Sequence, residues 1–396
     1  VEDETFESEK IRMMIPVQVL ATNIISPLGF STPENHKHMC EGGSSVKSRS
    51  SFLYDDVPLW LSAFSDDQED RLRDLTHAAE KSFSKFERMM IASAAGAIKE
   101  SGVDPSSDKT VFICSTTKGN ILELELHEKQ KPDIAGLELY RSAVKVSTHF
   151  KNPNEPVLVS NACISGVAAL LVAKRYLQEG LYDHAIVAGA DTLSNFVISG
   201  FRSFQALSPE RCKPFSAQRD GINLGEAAAC IVLGRNPSSF QTGIEVSGGS
   251  MSNDANHISG PSRTGMELAI AIRKALAGSG IEASELDFIS AHGTATPYND
   301  EMEAKALHLC SMDATPVNSM KAYVGHTLGA AGLLESAICI ESMRKGVFPS
   351  SAGYTEQILE PKVNLVKENI KSNFQHCLKT ASGFGGCNAA IVFSIN

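Results

Sequence analysis

The residues best suited to chemistry begin with Cys163, set in the hexapeptide Asn161-Ala162-Cys163-Ile164-Ser165-Gly166, where a short strand gives way to a helix of small residues. The first amides of a helix have no partner within it, and the dipole adds partial positive charge there. A thiol at that point is expected to have a pKa below its free value of about 8.5 and to serve as a nucleophile. A lone cysteine in an apolar segment is more often a core residue, so its company matters. Two further segments are dense in Gly, Ala, Thr and His: Ala291-His292-Gly293-Thr294-Ala295-Thr296-Pro297, and Lys321 to Gly332 around Gly325-His326. One thiol and two imidazoles can attack a carbonyl and then donate to, or accept from, its oxygen. Near the C-terminus, Gly383-Phe384-Gly385-Gly386 reads as a loop presenting an amide to a reacting oxygen, with a plain hairpin turn as the alternative.

These residues need a scaffold. The chain has 396 residues, 42% of them hydrophobic, enough for two or three domains or one large α/β unit. Its net charge of -10 argues against nucleic acid as the main partner. Nine cysteines without C-x-x-C or His/Cys metal spacing argue against a disulfide framework or a metal site and favour a reducing, cytoplasmic setting. No apolar run approaches a membrane span. Residues 1–10, acidic and polar, read as a disordered or cloning-derived tail and not as a signal peptide.

Strand and helix patterns alternate, which predicts an α/β fold with largely buried sheets. Strands are expected over 17–21, 110–114, 156–160, 184–188, 228–233, 243–247, 288–291 and 389–394. Helices are expected over 86–102, 164–179, 264–278, 300–310 and 328–345. The helices after Cys163 and Gly329 are apolar almost all round. The segments 163–180 and 329–346 have equal length, similar composition and a terminal glycine, which suggests the centres of two related halves. The join is placed at 236–241, giving an N-terminal half over 11–236 with the nucleophile and a C-terminal half over 237–396 with both histidines.

The order of motifs resembles the β-ketoacyl-acyl carrier protein synthases of the thiolase superfamily, close to the elongating type of fatty acid and polyketide synthesis. The likeness runs from about Val17 to Phe393. It rests on Ile24-Ile25-Ser26-Pro27-Leu28-Gly29, Ala162-Cys163-Ile164-Ser165-Gly166, Gly189-Ala190-Asp191, Lys213-Pro214-Phe215 and Arg219-Asp220-Gly221. It continues through Leu224-Gly225-Glu226-Ala227-Ala228, His292-Gly293-Thr294-Ala295-Thr296 with Asp300, and Lys321 with Gly325-His326. The resemblance implies a thiolase-like fold, two similar halves forming five α-β-α-β-α layers. It implies a decarboxylative Claisen condensation: Cys163 takes an acyl group from acyl carrier protein (ACP), and malonyl-ACP loses carbon dioxide and attacks the acyl-Cys.

By the same resemblance, the amides of Cys163 and Phe384 form the oxyanion hole, and His292 and His326 hold the malonyl thioester carbonyl. Lys321 orders the histidines, its alternative being an ordinary ion pair with Glu335, and Asp300 supports. Thr294 and Thr296 hydrogen-bond pantetheine, or else cap the turn at Pro297. Phe384 gates the acyl tunnel. No cofactor or metal is implied beyond the carrier's phosphopantetheine. The partners implied are ACP and a second subunit, in a homodimer or a heterodimer. An acidic carrier would need a local basic patch, for which Lys47, Arg49, Arg71, Lys81, Lys85, Arg202 and Lys213 are candidates.

Departures from the pattern bear on specificity. Ser382 stands where a second Phe is frequent, and Ser115-Thr116-Thr117-Lys118-Gly119-Asn120 replaces a glycine-rich stretch. Bulk and polarity near the acyl pocket would disfavour long saturated primers and suit a specialised polyketide or polyene pathway. A thiolase would need a second active cysteine, and Cys387 follows Gly385-Gly386, the wrong placement. The initiating synthases use His and Asn, whereas His326 is the second partner here. A noncatalytic chain-length subunit lacks the thiol that Cys163 supplies.

Overall fold

The structure is a computed structural model that describes residues 15–49, 58–76, 83–126, 134–235, 243–354 and 356–395. The tail at 1–10, Lys81 and the join at 236–241 lie outside these residues. Eleven strands form one sheet: β1 Val17–Ile25, β2 Thr110–Ser115, β3 Val157–Val159, β4 His184–Asp191, β5 Ala227–Arg235, β6 Ile244–Asn253, β7 Phe288–Ser290, β8 Pro316–Asn318, β9 Asn364–Leu365, β10 His376–Gly383 and β11 Cys387–Ile395. Their spatial order is β9-β8-β7-β10-β11-β6-β1-β5-β4-β2-β3.

That order repeats itself about its middle. Counting outward from β1, the strands before residue 236 come first, fifth, fourth, second and third in chain order. Counting outward from β6, the strands after residue 242 give the same sequence, with β9 added at the edge. Pair directions repeat too, antiparallel for the two inner pairs and parallel for the two outer ones. Among the described residues the two sets pair through Gln18↔Glu245.

Seven helices matter for the site: α1 Lys85–Ser101, α2 Leu139–His149, α3 Ser165–Gln178, α4 Asn195–Ser203, α5 Met266–Ser279, α6 Pro297–Leu309 and α7 Ala331–Lys345. Side chains alternate across each strand, so every buried strand feeds two cores. Val111, Ile113, Val187 and Ile231 face the central core with α3 and α7, and Phe112, Cys114, Ile186 and Val232 face an outer core with α1 and α2. On the other set, Phe288 and Ile391 point to the same central core, and Leu378 and Val392 to an outer core with α5 and α6. The layers are therefore α1/α2, sheet, α3/α7, sheet, α5/α6.

The two apolar helices cross where both have glycine. A Cβ on Gly166 would lie 2.6 Å from the Leu333 amide nitrogen, and one on Gly332 would lie 2.7 Å from that of Val167. The backbones thus pack directly, and α3 and α7 need no polar face because strands cover the rest of each. Observed bounds differ from expectation mainly at helix starts. Gly265 at φ 74° delays α5 to Met266, Pro297 at the first turn starts α6 three residues early, and a short 3-10 turn over Leu328–Ala330 precedes α7.

Candidate active site

Each letter of the cysteine motif has a structural use. Ala162 has φ 43°, a conformation that costs a non-glycine residue of order 1 kcal/mol or more and that clusters at functional turns. Ser165 pins this turn, accepting from the Asn161 amide at 2.8 Å and donating to the Ala162 carbonyl at 2.6 Å. Cys163 is thereby lifted to the head of α3, and Gly166 lets α3 meet α7. The loop between β10 and β11 closes from the other side, where a Cβ on Gly383 would lie 2.9 Å from the Cys163 nitrogen. The Phe384 amide reaches the Cys163 sulfur.

The sulfur of Cys163 and a ring nitrogen from each of His292 and His326 all lie within 4.8 Å of one another. Three parts of the chain meet here, from the head of α3, the turn after β7 and the turn before α7. The imidazoles stand edge to face, centroids 5.2 Å apart. His292 Nδ1 and both nitrogens of His326 have no hydrogen-bond partner although buried. Such groups are costly to leave unpaired, which marks them as waiting for a ligand.

Burial pushes the Cys163 thiol up to about 12; Cys387 and Asp191 add to the rise, and Lys321 and the Phe384 amide oppose it. This corrects the expectation of a lowered thiol: the sulfur is too deeply buried for the helix start to ionise it, so a base must take its proton. Both imidazoles are held well below the usual histidine range, first by burial and next by Lys321. They are neutral, and each has one N–H to give and one nitrogen to accept.

The supports are buried charges. Lys321 donates to the His292 carbonyl at 2.9 Å and pairs with Glu335. Lys321 thus makes both a bond to the His292 backbone and an ion pair. Asp300 accepts from the amides of Phe215 at 2.7 Å and Ala295 at 3.2 Å, and burial raises its carboxyl to about 7. Thr294 and Thr296 both line the cavity over Cys163, their hydroxyls 2.8 Å apart. Thr296 makes no capping bond to α6, so the capping alternative fails.

The cavity measures about 480 Å³ and runs from Cys163 past His292 and Thr294 to Phe204 and Ile258. Phe384 stacks on Phe201 at 5.5 Å and meets Phe204 edge-on at 5.4 Å, between Gly383 and Gly385 at the cavity wall. Ser382 donates to Asn388. Thr116 and Thr117 do not line this cavity; their hydroxyls bind Asp191 at 2.7 and 2.9 Å. Lys85 is no free docking cation either, since it pairs with Glu69 and buried Glu226 at 2.7 and 2.8 Å.

Sequence reading missed Glu303, Lys379 and the role of Asp191. Glu303 accepts from the His292 and Gly293 amides at 2.8 and 2.6 Å; its signal was a second carboxylate one helical turn after Asp300. Asp191 accepts from the Gly329 amide at 2.7 Å, tying the two halves of the site. Lys379 had only the oddity of a lysine inside an apolar strand.

With this geometry in place, the family is clear. Residues 15–238 match "Beta-ketoacyl synthase, N-terminal domain" and residues 244–355 match "Beta-ketoacyl synthase, C-terminal domain". The chain belongs to the β-ketoacyl synthase family, acyltransferases that form carbon–carbon bonds. It is 26% identical to "Putative 3-oxoacyl-[acyl-carrier-protein] synthase, mitochondrial" of Schizosaccharomyces pombe, over 95% of this chain and 98% of that one. It is 31% identical to "Putative polyketide beta-ketoacyl synthase 1" of Streptomyces cyaneus, over 69% and 66%. Its fold superposes with a TM-score of 0.84 and 26% identity on a chain of "Ketosynthase (ApeO) in Complex with its Chain Length Factor (ApeC) from Xenorhabdus doucetiae", covering 98% of this chain and all of that one.

Proposed function

We propose that this chain is a 3-oxoacyl-[acyl-carrier-protein] synthase that extends a carrier-bound acyl group with malonyl-ACP. The observation that carries this is the meeting of Cys163, His292 and His326 within 4.8 Å, with unpartnered ring nitrogens, in the wall of a cavity open to the surface. In the first half-reaction the Cys163 sulfur attacks the acyl thioester, its proton passing to an imidazole and then to the departing carrier thiolate. The Cys163 and Phe384 amides stabilise the tetrahedral oxyanion. In the second, malonyl-ACP binds with its thioester carbonyl between His292 and His326. Their N–H groups hold the enolate oxygen as carbon dioxide leaves, and the enolate carbon attacks the acyl-Cys to release a β-ketoacyl-ACP. Thr294 and Thr296 hold the pantetheine arm.

The reaction moves no redox electrons and needs no metal. Lys321 and Lys379 would oppose a dication at the same three atoms, both lying behind the imidazoles. The carrier is supported by the acyl-carrier-protein substrate in the name of the Schizosaccharomyces pombe relative and by the cavity that leads to Cys163. A second subunit, identical or a chain-length partner, is supported by the complex formed by the Xenorhabdus ketosynthase. No helix among the described residues is long and apolar enough to cross a membrane; a cytoplasmic site of action is part of the proposal. Purified chain given acyl-ACP and malonyl-ACP should release carbon dioxide and β-ketoacyl-ACP in equal amounts. Absence of both would leave the noncatalytic reading in its place.

A further inference from the structure

Three successive backbone carbonyls lead into the first catalytic imidazole, and all three end on buried ammonium groups. Lys379 on β10 donates to the Ser290 and Ala291 carbonyls, both at 3.1 Å, and Lys321 donates to that of His292 at 2.9 Å. The two lysines then share one carboxylate: Glu335 pairs with Lys321 through one oxygen and lies 2.6 Å from Lys379 through the other. All three side chains are buried. A buried ammonium is expensive unless it is paired, and here two cations lean on one anion. A neutral residue at 379 would leave a balanced Lys321–Glu335 pair, so the second cation is an addition that packing did not require.

We propose that Lys379 is a positioning residue for the two imidazoles: it fixes the turn that carries His292 and adds a second buried cation behind the site. The inference rests on the reading of His292 and His326 as catalytic. Its consequence is electrostatic. Lys379 lowers both imidazoles, as Lys321 does, on top of burial. The other charged or titratable groups around the pair include Cys163 at the head of α3, Lys321 in the turn before α7, Glu335 on α7, Asp300 and Glu303 on α6, and Asp220 and Asp254 on the cavity wall. Asp300 is raised by burial and Glu303 is bound to the His292 and Gly293 amides. A neutral imidazole is needed to receive the Cys163 proton, so Lys379 extends acyl transfer to lower pH.

Neutralising Lys379 raises the imidazole pKa values, and acyl transfer then fails at a higher pH. In Lys379→Gln, which keeps a donor for the carbonyls, the acid limb of Cys163 acylation should move up by about one pH unit. Lys379→Arg should keep the wild-type limb, and the double variant Lys379→Gln/Glu335→Gln, which removes one charge of each sign, should return it. The double variant leaves buried Lys321 without its carboxylate, so its fold is checked by circular dichroism; Lys379→Met, which keeps the Lys321–Glu335 pair, provides the reading if the glutamine variant fails to fold. An unmoved acid limb with a uniform loss at all pH values, or no return in the double variant, would overturn the proposal. Wild-type acylation measured alongside separates this from failure of the catalytic assignment itself.

Discussion

His292 and His326 stand with ring planes at 85° and centroids 5.2 Å apart, and a nitrogen of each ring lies within 4.8 Å of the other and of the Cys163 sulfur. His326 is fixed by backbone bonds on both sides, its amide donating to the Asn223 carbonyl at 2.7 Å and its carbonyl accepting from the Gly225 amide at 3.0 Å. His292 is fixed by Glu303 and Lys321.

Removing either ring should therefore cost the enolate-forming step most. His292→Ala and His326→Ala are expected to lose about 10²–10³ in malonyl-ACP decarboxylation. Part of the acyl transfer to Cys163 should survive, because the other imidazole can still take the proton. Normal decarboxylation in both variants would show the roles to be misassigned.

The buried thiol has its own signature. With Cys163 pushed up to about 12, its alkylation by iodoacetamide should climb with pH from 6 to 9 without levelling. A plateau near pH 7 would mean a pre-formed thiolate and would contradict the burial argument.

The helix crossing should tolerate no added carbon. Gly166→Ala would set its Cβ against the Leu333 backbone, and overpacking of this kind costs roughly 1–3 kcal/mol. Chemical denaturation should show the loss, while Gly42→Ala would be a poor control because Gly42 has positive φ. Gly200, with open space around it, is the proper control. Equal stability of the Gly166 and Gly200 variants would refute the direct packing of α3 on α7.

Asp300 gives the fold a pH dependence. Its folded pKa of about 7 lies above the unfolded value of about 3.9, so between them the native state binds the extra proton. Its contribution is whole below about pH 4 and is lost as pH rises to about 7. Asp300→Asn stays neutral and keeps one acceptor for the Phe215 or Ala295 amide. The variant's melting temperature relative to wild type should rise between pH 4 and 7 and then stay level. A difference independent of pH would show that Asp300 is ionised in the folded chain.

The layered architecture and the reactive trio were legible because each leaves a local mark. All-round apolar helices after Cys163 and Gly329 must be buried, and matched lengths hinted at the repeated strand order. His292 and His326 sat in segments too rich in Gly and Thr for plain core. What could not be read were effects of distance. The thiol's burial depends on the β10–β11 loop folding over it, far along the chain, and burial outweighed the helix start. Lys379 looked like an interruption in an apolar strand because its partners, Ser290, Ala291 and Glu335, are joined to it only by the sheet and by α7. The bonds of Thr116 and Thr117 to Asp191 join residues some 75 positions apart, which no local pattern marks.

The central claim is that Cys163 carries the growing chain. Intact-mass measurement after incubation with acyl-ACP alone should show wild type heavier by one acyl group and Cys163→Ala unchanged, with both proteins folded. An acyl adduct on the Cys163→Ala protein would contradict the account.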